Sequence, residues 1–259
     1  MDYFNYMCFF IYGLVFASFL NALGYRMDKG YKYPDIFIKP SACEKCKTPL
    51  KWYELIPVIG YILNKGRCSK CQKKINIYYP ISELFLGLTF LILFVTHSPI
   101  SFYVLSLVLF FLTYFDIETM SIPKKETDIL LTIALLYKVY LIIFVEKGIS
   151  FSQDASLIFS LGLLVVVSII NRWKEVLGIG DLLILIIISS LLPFASFILY
   201  LYLTILLSGT VSIILIVFNK EYLKKYIPLL PFMTMSFVLT VLTNYYFPTL
   251  LHTLFPVFF

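Results

Sequence analysis

The stretch LLILIIISSLLPFASFILYLYLTILLSGTVSIILIVF, residues 182–218, runs for 37 positions without a charged residue. A helix rises about 1.5 Å per residue and a bilayer core is about 30 Å thick, so roughly 20 apolar residues make one membrane span. The stretch is too long for one span. Pro193 lacks the backbone N–H that a continuous helix needs. We therefore predict two short spans, at about 182–197 and 198–218.

The composition of the whole chain indicates the same class of protein. Of the 259 residues, 60% are hydrophobic and only 14% are charged, and the mean hydropathy is +0.90. Soluble domains are about half apolar and a quarter charged, so both a soluble and a disordered chain are excluded. Six further apolar runs predict spans at about 4–24, 81–97, 99–115, 128–146, 153–170 and 227–247. We expect an all-α polytopic membrane protein with about eight transmembrane helices.

The basic residues predict the orientation in the membrane. Of the 21 lysines and arginines, 12 lie between Arg26 and Lys74, and the positive-inside rule places that segment in the cytoplasm. A basic loop is also compatible with nucleic acid or anionic lipid, but topology explains the charge more simply in so apolar a chain. The same topology places the connections at about 116–127, 171–181 and 219–226 in the cytoplasm. With them, 19 of the 21 lysines and arginines lie on the cytoplasmic side. Both termini are predicted to lie outside, with lipid and no nucleic acid as a partner.

Four cysteines in this cytoplasmic segment form two closely spaced pairs. Cys43 and Cys46 make one CxxC motif, and Cys68 and Cys71 make a second. Two such turns together offer four thiolates in a tetrahedral arrangement, which is typical of a Zn²⁺ site, and a reducing cytosol disfavours disulfides. Because all four ligands come from the protein, we expect a structural metal that folds an insert too small to fold alone. The fifth cysteine, Cys8, is expected to be a buried apolar residue of the first span.

Two aspartates are predicted at the cytoplasmic ends of spans. Asp116 lies in LTYFDIETMSIPKK, and Asp181 lies in GIGDLLILIII. Asp181 follows Gly178 and Gly180 and precedes a run of apolar residues. Carboxylates at membrane depth are rare and usually functional. Taken alone, Asp181 is explained as a helix N-cap, and Asp116 with Glu118 as a solvated interfacial loop. A pair on the same membrane face favours function over these explanations.

Paired carboxylates suit water-mediated hydrolysis of a peptide bond. Close together, the two groups share one proton, so that one accepts a proton from water and the other protonates the carbonyl oxygen. Glycines such as Gly178 and Gly180 let backbone and substrate approach closely.

Other chemistry-bearing residues leave alternatives open. Glu83 is an intramembrane carboxylate, either bonded to a neighbouring helix or in contact with a substrate, and Glu118 is a candidate for attracting a basic substrate. His97 and His252 are expected at the outer interface, not as ligands.

A transporter that uses carboxylates as an ion relay would distribute them through the membrane instead of gathering them at one face. A scaffold whose zinc insert docks other proteins would not need the aspartates.

Several segments together resemble the type IV prepilin peptidases, which are membrane aspartyl proteases with a GxGD signature. The resemblance covers most of the chain. It rests on the end of the first span, the cysteine-bearing insert, the first aspartate loop with Pro123 seven residues after Asp116, and the GIGD that ends at Asp181. GxGD alone is weak and paired CxxC motifs indicate only zinc, but the combination is specific.

The resemblance implies an arrangement of domains and an activity. The apolar runs already divide the chain into a first helix at 1–24, a cysteine-bearing insert at 25–79 and about seven helices at 80–259. The resemblance implies that the insert binds zinc and that the helices at 80–259 form an aspartyl protease domain, with Asp116 and Asp181 as the catalytic pair. Such enzymes remove the short basic leader of type IV prepilins or pseudopilins at the cytoplasmic face of the bacterial cell membrane. Many also methylate the new N-terminus with S-adenosylmethionine, an activity associated with the cysteine-bearing domain. A peptidase without methylation is the alternative, because the insert has no glycine-rich nucleotide loop and the residues themselves indicate no methyl-donor site.

Four positions depart from the family pattern. Ala17 stands where glycine is common, Glu118 where a second Asp is common, Lys124 where Asp or Asn usually follows the proline, and Leu183 where Lys is common. None of these changes alters the two aspartates, but the family's role for each of these neighbours does not carry over to this chain.

Overall fold

The computed structural model describes residues 2–145, 151–173, 178–219 and 227–248. Within these ranges the regular elements are helical, and the only extended pairings are two isolated bridges in the insert. The helices are α1 (Asp2–Asp28), α2 (Asp35–Ile38), α3 (Ile59–Leu63), α4 (Tyr78–Val95), α5 (Ile100–Thr119), α6 (Lys124–Tyr140), α7 (Phe151–Asn171), α8 (Ile179–Ser189), α9 (Phe194–Phe218) and α10 (Leu230–Tyr246). A short 3₁₀ turn at Trp52–Leu55 precedes α3, and α6 continues as a π-helical turn over Leu141–Val145.

The predicted all-helical membrane fold is confirmed. Each predicted span overlaps one of the helices α1 and α4 to α10. Five stretches of the described residues are long and apolar enough to cross a membrane: Tyr3–Asp28, Tyr78–Val95, Ile100–Thr119, Thr127–Phe144 and Phe194–Phe218. Ala155–Asn171 and Ile179–Ser189 are shorter apolar helices.

The predicted boundary inside the stretch at 182–218 is wrong by several residues. The break lies at Ser190–Pro193 and not at 197, because Pro193 occupies the N-cap position of α9 and cannot continue α8. α8 therefore has only 11 residues. At about 1.5 Å per residue it is roughly half as long as a bilayer core is thick. Seven of its residues are buried, as expected for a helix that is apolar on all sides and packed within protein.

The chain divides into two compact units, Met1–Phe115 and Asp116–Phe259, with the division inside α5. In the first unit, α1 packs along α4, and the core contains Ala17, Leu86, Phe90 and Phe110. A Cβ on Gly13 would lie 2.5 Å from the Leu86 carbonyl oxygen, so glycine permits this close crossing of the two backbones. The insert at 25–79, predicted from the polar, cysteine-bearing stretch between apolar runs, stays a prediction as a separate domain.

The second unit is built around α8. The helices α6, α7 and α9 pack against α8, and α10 packs against α9. The last carbonyl groups of α8 need partners, because a helix leaves its final C=O groups unpaired. The Ser156 hydroxyl of α7 shares its one hydrogen between the carbonyl oxygens of Ser189 (2.8 Å) and Leu192 (2.9 Å). This contact fixes the C-terminal end of the short helix and thereby supports the position of its N-terminal end.

Some predicted features lie outside the described residues. These are most of the connection at 219–226, part of the connection at 171–181 and the segment that contains His252.

Candidate active site and cysteine cluster

Asp116 lies in the last turn of α5 and is only 8% exposed. Its Oδ2 accepts a hydrogen bond of 2.9 Å from the backbone N–H of Leu230, the first residue of α10. The backbone N–H of Leu229 also bonds to this carboxylate. The first N–H groups of a helix lack intrahelical partners and carry a partial positive charge. The start of α10 thus directs two backbone hydrogen-bond donors at the Asp116 carboxylate.

Asp181 is the third residue of α8 and is partly exposed. The N-cap position belongs to Gly178, so the explanation of Asp181 as the N-cap residue is wrong. A Cβ on Gly178 would lie 3.1 Å from Asp181 Oδ2, so the carboxylate folds back over this glycine. Within the described chain, the Asp181 side chain accepts no hydrogen bond, in contrast to Asp116. Asp116 and Asp181 lie close enough for the charge of one carboxylate to act on the other.

Gly180 allows the loop after Asp116 to approach α8. A Cβ at Gly180 would lie 2.8 Å from Cδ1 of Ile122 and 3.3 Å from its Cβ. Ile122 belongs to the short loop that joins α5 to α6. The absence of a side chain at Gly180 therefore lets the loop that follows one aspartate pack against the helix that carries the other.

The remaining predicted site residues lie in different surroundings. Glu118 is exposed, two residues beyond Asp116. Glu83 of α4 is 8% exposed, and its Oε2 accepts a 2.7 Å hydrogen bond from the backbone N–H of Val58 in the insert. Val58 has φ +62°, an unusual conformation for a β-branched residue. Glu83 thus ties the insert to α4 inside the first unit.

The two CxxC motifs fold into equivalent knuckles. Cys43 N–H donates to Thr48 C=O (2.9 Å), and Cys68 N–H donates to Lys73 C=O (3.0 Å) at the same offset. The residue after the second cysteine of each motif, Lys47 or Gln72, has a positive φ and donates its N–H back to the first cysteine's carbonyl. The two isolated bridges, 42 with 49 and 67 with 74, close the two turns. Each motif therefore presents both thiols on one tight turn.

The four sulfur atoms fit a metal ion. All four Sγ atoms lie within 4.8 Å of one another, and the Cys43–Cys71 and Cys46–Cys68 separations are both 3.9 Å. Zn–S bonds of about 2.3 Å in a tetrahedron place sulfur atoms about 3.8 Å apart, whereas a disulfide requires about 2.05 Å. Hydrogen bonds with the side chain and backbone of Thr48 lower the pKa of Cys46 to about 6. Backbone N–H groups of Cys71 and Lys70 lower the pKa of Cys68, and the thiolate is the metal-binding form.

Two features of the candidate active site were missed from the sequence. The amides of Leu229 and Leu230 are backbone groups 113 and 114 positions from Asp116, and any residue but proline supplies such a donor. Pro231, close to the start of α10, marks a helix N-terminus in sequence but not its contact with Asp116. Tyr200 of α9 is fully buried and near enough to Asp181 to interact with it electrostatically.

Helices of this length and apolarity, a cysteine cluster and two neighbouring carboxylates define a polytopic membrane protein with a candidate metal site and a candidate hydrolytic site. A model of the bacterial peptidase A24 N-terminal domain matches residues 11–97, and a model of the type IV leader peptidase family matches residues 103–217. Together with the relatives described next, these matches show that the chain belongs to the type IV leader peptidase family, and it is therefore an enzyme of the peptidase class.

Curated relatives carry the name prepilin leader peptidase/N-methyltransferase. The protein of Vibrio cholerae is 30% identical over 256 residues, which cover 92% of this chain and 97% of that protein. The Aeromonas hydrophila protein is 27% identical over 257 residues, or 88% of this chain and 87% of the relative. The Bacillus subtilis protein is 35% identical over 75 residues, 29% of each chain. No solved structure matches the chain significantly.

Proposed function

We propose that this enzyme removes the leader of type IV prepilins or pseudopilins by an aspartyl mechanism with Asp116 and Asp181 as the catalytic pair. The observation that carries the proposal is the unequal environment of two neighbouring carboxylates. Asp116 accepts hydrogen bonds from two helix-terminal amides, whereas no described group donates one to Asp181. Family membership and the names of the relatives support the choice of substrate.

The unequal hydrogen bonding supports a proposed division of roles between the two carboxylates. Two close carboxylates share one proton. Donors to a carboxylate favour its charged form, so Asp116 is the ionised member and Asp181 holds the proton. Asp116 accepts a proton from water as the water oxygen attacks the scissile carbonyl carbon, and Asp181 donates its proton to the carbonyl oxygen. When the tetrahedral intermediate collapses, the C–N bond breaks, Asp116 gives its proton to the leaving amine, and Asp181 recovers the proton of the gem-diol hydroxyl.

The proposed orientation follows from the charge distribution. The insert and the catalytic pair face the cytoplasm of a bacterial cell membrane, and the basic leader of a prepilin meets the pair at the interface. The exposed carboxylate of Glu118 lies where it attracts that leader.

We infer that the cysteine cluster binds Zn²⁺ through Cys43, Cys46, Cys68 and Cys71. Support comes from the separations of the four sulfur atoms and from the two equivalent CxxC turns that present them. With four protein ligands the ion has no open position for a water, so its role is to fold the insert.

Methylation of the new N-terminus is the second proposed activity. Its support is the N-methyltransferase in the names of the relatives. S-adenosylmethionine would supply the methyl group to the amine of the mature pilin, with S-adenosylhomocysteine and a proton as the other products.

One assay tests both proposed activities. Purified protein in detergent is incubated with a prepilin, with and without S-adenosylmethionine, and the mature product is analysed by intact mass spectrometry. We expect leader removal in both reactions and one added methyl group only with the donor. Absence of cleavage would contradict the peptidase proposal, whereas cleavage without methylation under either condition would restrict the enzyme to a peptidase.

A further inference from the structure

The short helix α3 of the insert has one packed side and one bare apolar side. Ile59, Ile62 and Leu63 are 51%, 64% and 60% exposed, and their i, i+3, i+4 spacing places them on the same side of the helix. The opposite side is closed, because Gly60 is buried and a Cβ there would lie 2.3 Å from the Glu54 carbonyl oxygen. Contiguous exposed apolar side chains outside a membrane span indicate a contact surface.

The attachment of α3 to α4 brings this apolar side to the level of the membrane surface. The backbone N–H of Val58, the residue before α3, donates a 2.7 Å hydrogen bond to Glu83 Oε2. Glu83 is the sixth residue of α4 (Tyr78–Val95) and lies about 8 Å along the helix axis from its first residue. α4 has 18 residues and is about 27 Å long, close to the thickness of a bilayer core. A residue bonded to Glu83 therefore lies near the boundary between headgroups and acyl chains.

Three basic side chains meet directly after α3. Lys65, Arg67 and Lys74 are exposed and line one shallow depression together with the ring of Tyr61. The turn at Lys65 and Gly66, both with positive φ, and the bridge between Arg67 and Lys74 bring the three cations together. Within the described chain the depression has no acidic residue in its lining, and none of the three cations takes part in an ion pair. Ammonium and guanidinium groups arranged in this way attract phosphate oxygens.

An anionic lipid surface matches both parts of this segment. It presents phosphate groups directly above acyl chains, and the insert presents cations two positions after the last apolar residue of α3. The basic leader of a prepilin would instead be repelled by the three cations. Because α1 and α4 already hold the insert at the membrane, a weak contact is sufficient to keep it on the surface.

We propose that the insert is seated on the lipid surface through α3. Ile59, Ile62 and Leu63 enter the boundary between headgroups and acyl chains, and the cations at 65, 67 and 74 bind the phosphate groups of anionic phospholipids. This contact goes beyond the activities proposed above and does not depend on them.

Quenching of tryptophan fluorescence by brominated acyl chains measures the seating directly. The zinc-loaded full chain is reconstituted into bilayers of brominated phosphatidylcholine, alone or mixed with brominated phosphatidylglycerol. In a chain whose two tryptophans, Trp52 and Trp173, are replaced by phenylalanine, Ile62→Trp places a reporter on the apolar side of α3. Lys70→Trp places a control reporter at an exposed position of the second cysteine turn. In the mixed bilayer we expect the fluorescence of the reporter at 62 to fall by about twofold or more, and that of the reporter at 70 to stay unchanged.

Further substitutions separate the apolar contact from the phosphate contact. Ile59→Gln combined with Leu63→Gln should abolish quenching of the reporter at 62. In the chain with the reporter at 62, quenching should be stronger with phosphatidylglycerol than without it. Glutamine at 65, 67 and 74 should remove that difference, because the anionic headgroup then has no cation to bind.

Matched controls make the same chemical changes elsewhere in the insert. Ile38→Gln alters an exposed apolar residue of α2. Glutamine in place of Lys32, Lys45 and Lys70 removes the same charge from exposed positions outside the depression. Both controls should retain the quenching at 62 and its dependence on phosphatidylglycerol. Zinc content and thermal unfolding show that all variants are folded.

Three results would overturn the proposal. Quenching no greater at 62 than at 70 in the folded protein would mean that the apolar side of α3 lies in water. Persistence of the phosphatidylglycerol effect after glutamine replaces the cations at 65, 67 and 74 would remove the phosphate contact. Loss of the quenching at 62 when a prepilin is added would assign this surface to the substrate instead of lipid.

Discussion

Asp116 and Asp181 are chemically identical side chains in unequal surroundings. The amides of Leu229 and Leu230 donate to Asp116, and the Asp181 carboxylate folds over Gly178 without a described donor. In a pair that shares one proton, this difference decides which group is ionised. The proposed assignment of base and acid depends on these backbone contacts.

Glu118 tests the attraction of the leader at the scale of one residue. Because Glu118 is exposed beside the proposed pair, Glu118→Gln should raise KM for a basic prepilin by about two- to fivefold and leave kcat unchanged. Steady-state kinetics at low ionic strength measure this effect. A prepilin whose leader lysines are replaced by glutamine is the control and should show no difference. An equal effect on the neutral leader would contradict an electrostatic role.

Among the helices, α8 and its neighbours position the candidate site. Its C-terminal end is held by Ser156, and its N-terminal end packs against Ile122 through Gly180. Because the helix is short and buried, a small displacement at either end moves Asp181.

Gly180→Ala tests this packing. The added Cβ would lie 2.8 Å from Ile122 Cδ1, so the loop after Asp116 must move. We expect leader cleavage to fall at least tenfold, with a loss of about 1–3 kcal/mol in stability from overpacking. Ile122→Ala in the same chain should restore much of the activity by making room. Gly162→Ala, where a Cβ meets nothing within 4 Å, should retain full activity. Failure of the double variant to recover would contradict the proposed contact.

The insert carries its own test at the scale of elements. Cys46→Ser should eliminate bound zinc and lower the temperature at which the insert unfolds, because the substitution leaves only three of the four thiolate ligands. Elemental analysis and hydrogen exchange of 43–71 measure the two effects. Cys8→Ser, which removes a cysteine of α1 outside the cluster, should keep about one zinc per chain. Retention of zinc by Cys46→Ser would contradict the proposed four-sulfur site.

The elements show where sequence reasoning succeeds and where it stops. Apolar length predicted eight helices, and CxxC spacing predicted the approach of Cys43 and Cys46 to Cys68 and Cys71. Pro193 predicted a break in the helix. The structure places the end of α8 earlier, at Ser189, and the residues between Ser189 and Pro193 form a turn. The Asp116 contact with α10 joins residues 114 apart through a backbone amide, so no side-chain pattern records it.

For the whole molecule, the distribution of charge leads to an orientation in the membrane. The concentration of 12 basic residues between Arg26 and Lys74 places that segment in the cytoplasm by the positive-inside rule. His97, in the connection between α4 and α5, is then expected on the opposite side. The described helices support a membrane protein, and the orientation stays a prediction.

Cysteine labelling in cells tests the orientation. Lys32→Cys and His97→Cys each place a thiol at an exposed position, one in the insert and one in the α4–α5 connection. A membrane-impermeant maleimide added to spheroplasts should label the residue-97 variant only, and inverted vesicles should label the residue-32 variant only. Mass spectrometry identifies the labelled peptide. Labelling of both variants from one side would contradict the predicted topology.

The central claim is that Asp116 and Asp181 together hydrolyse the leader peptide bond. The most direct measurement is single-turnover cleavage of a prepilin by Asp116→Asn and Asp181→Asn, compared with the unmodified enzyme at equal zinc content and thermal stability. Since asparagine keeps the shape but neither accepts nor donates the required proton, each variant should be slower by at least a hundredfold. Cleavage by both folded variants at close to the unmodified rate would contradict the claim.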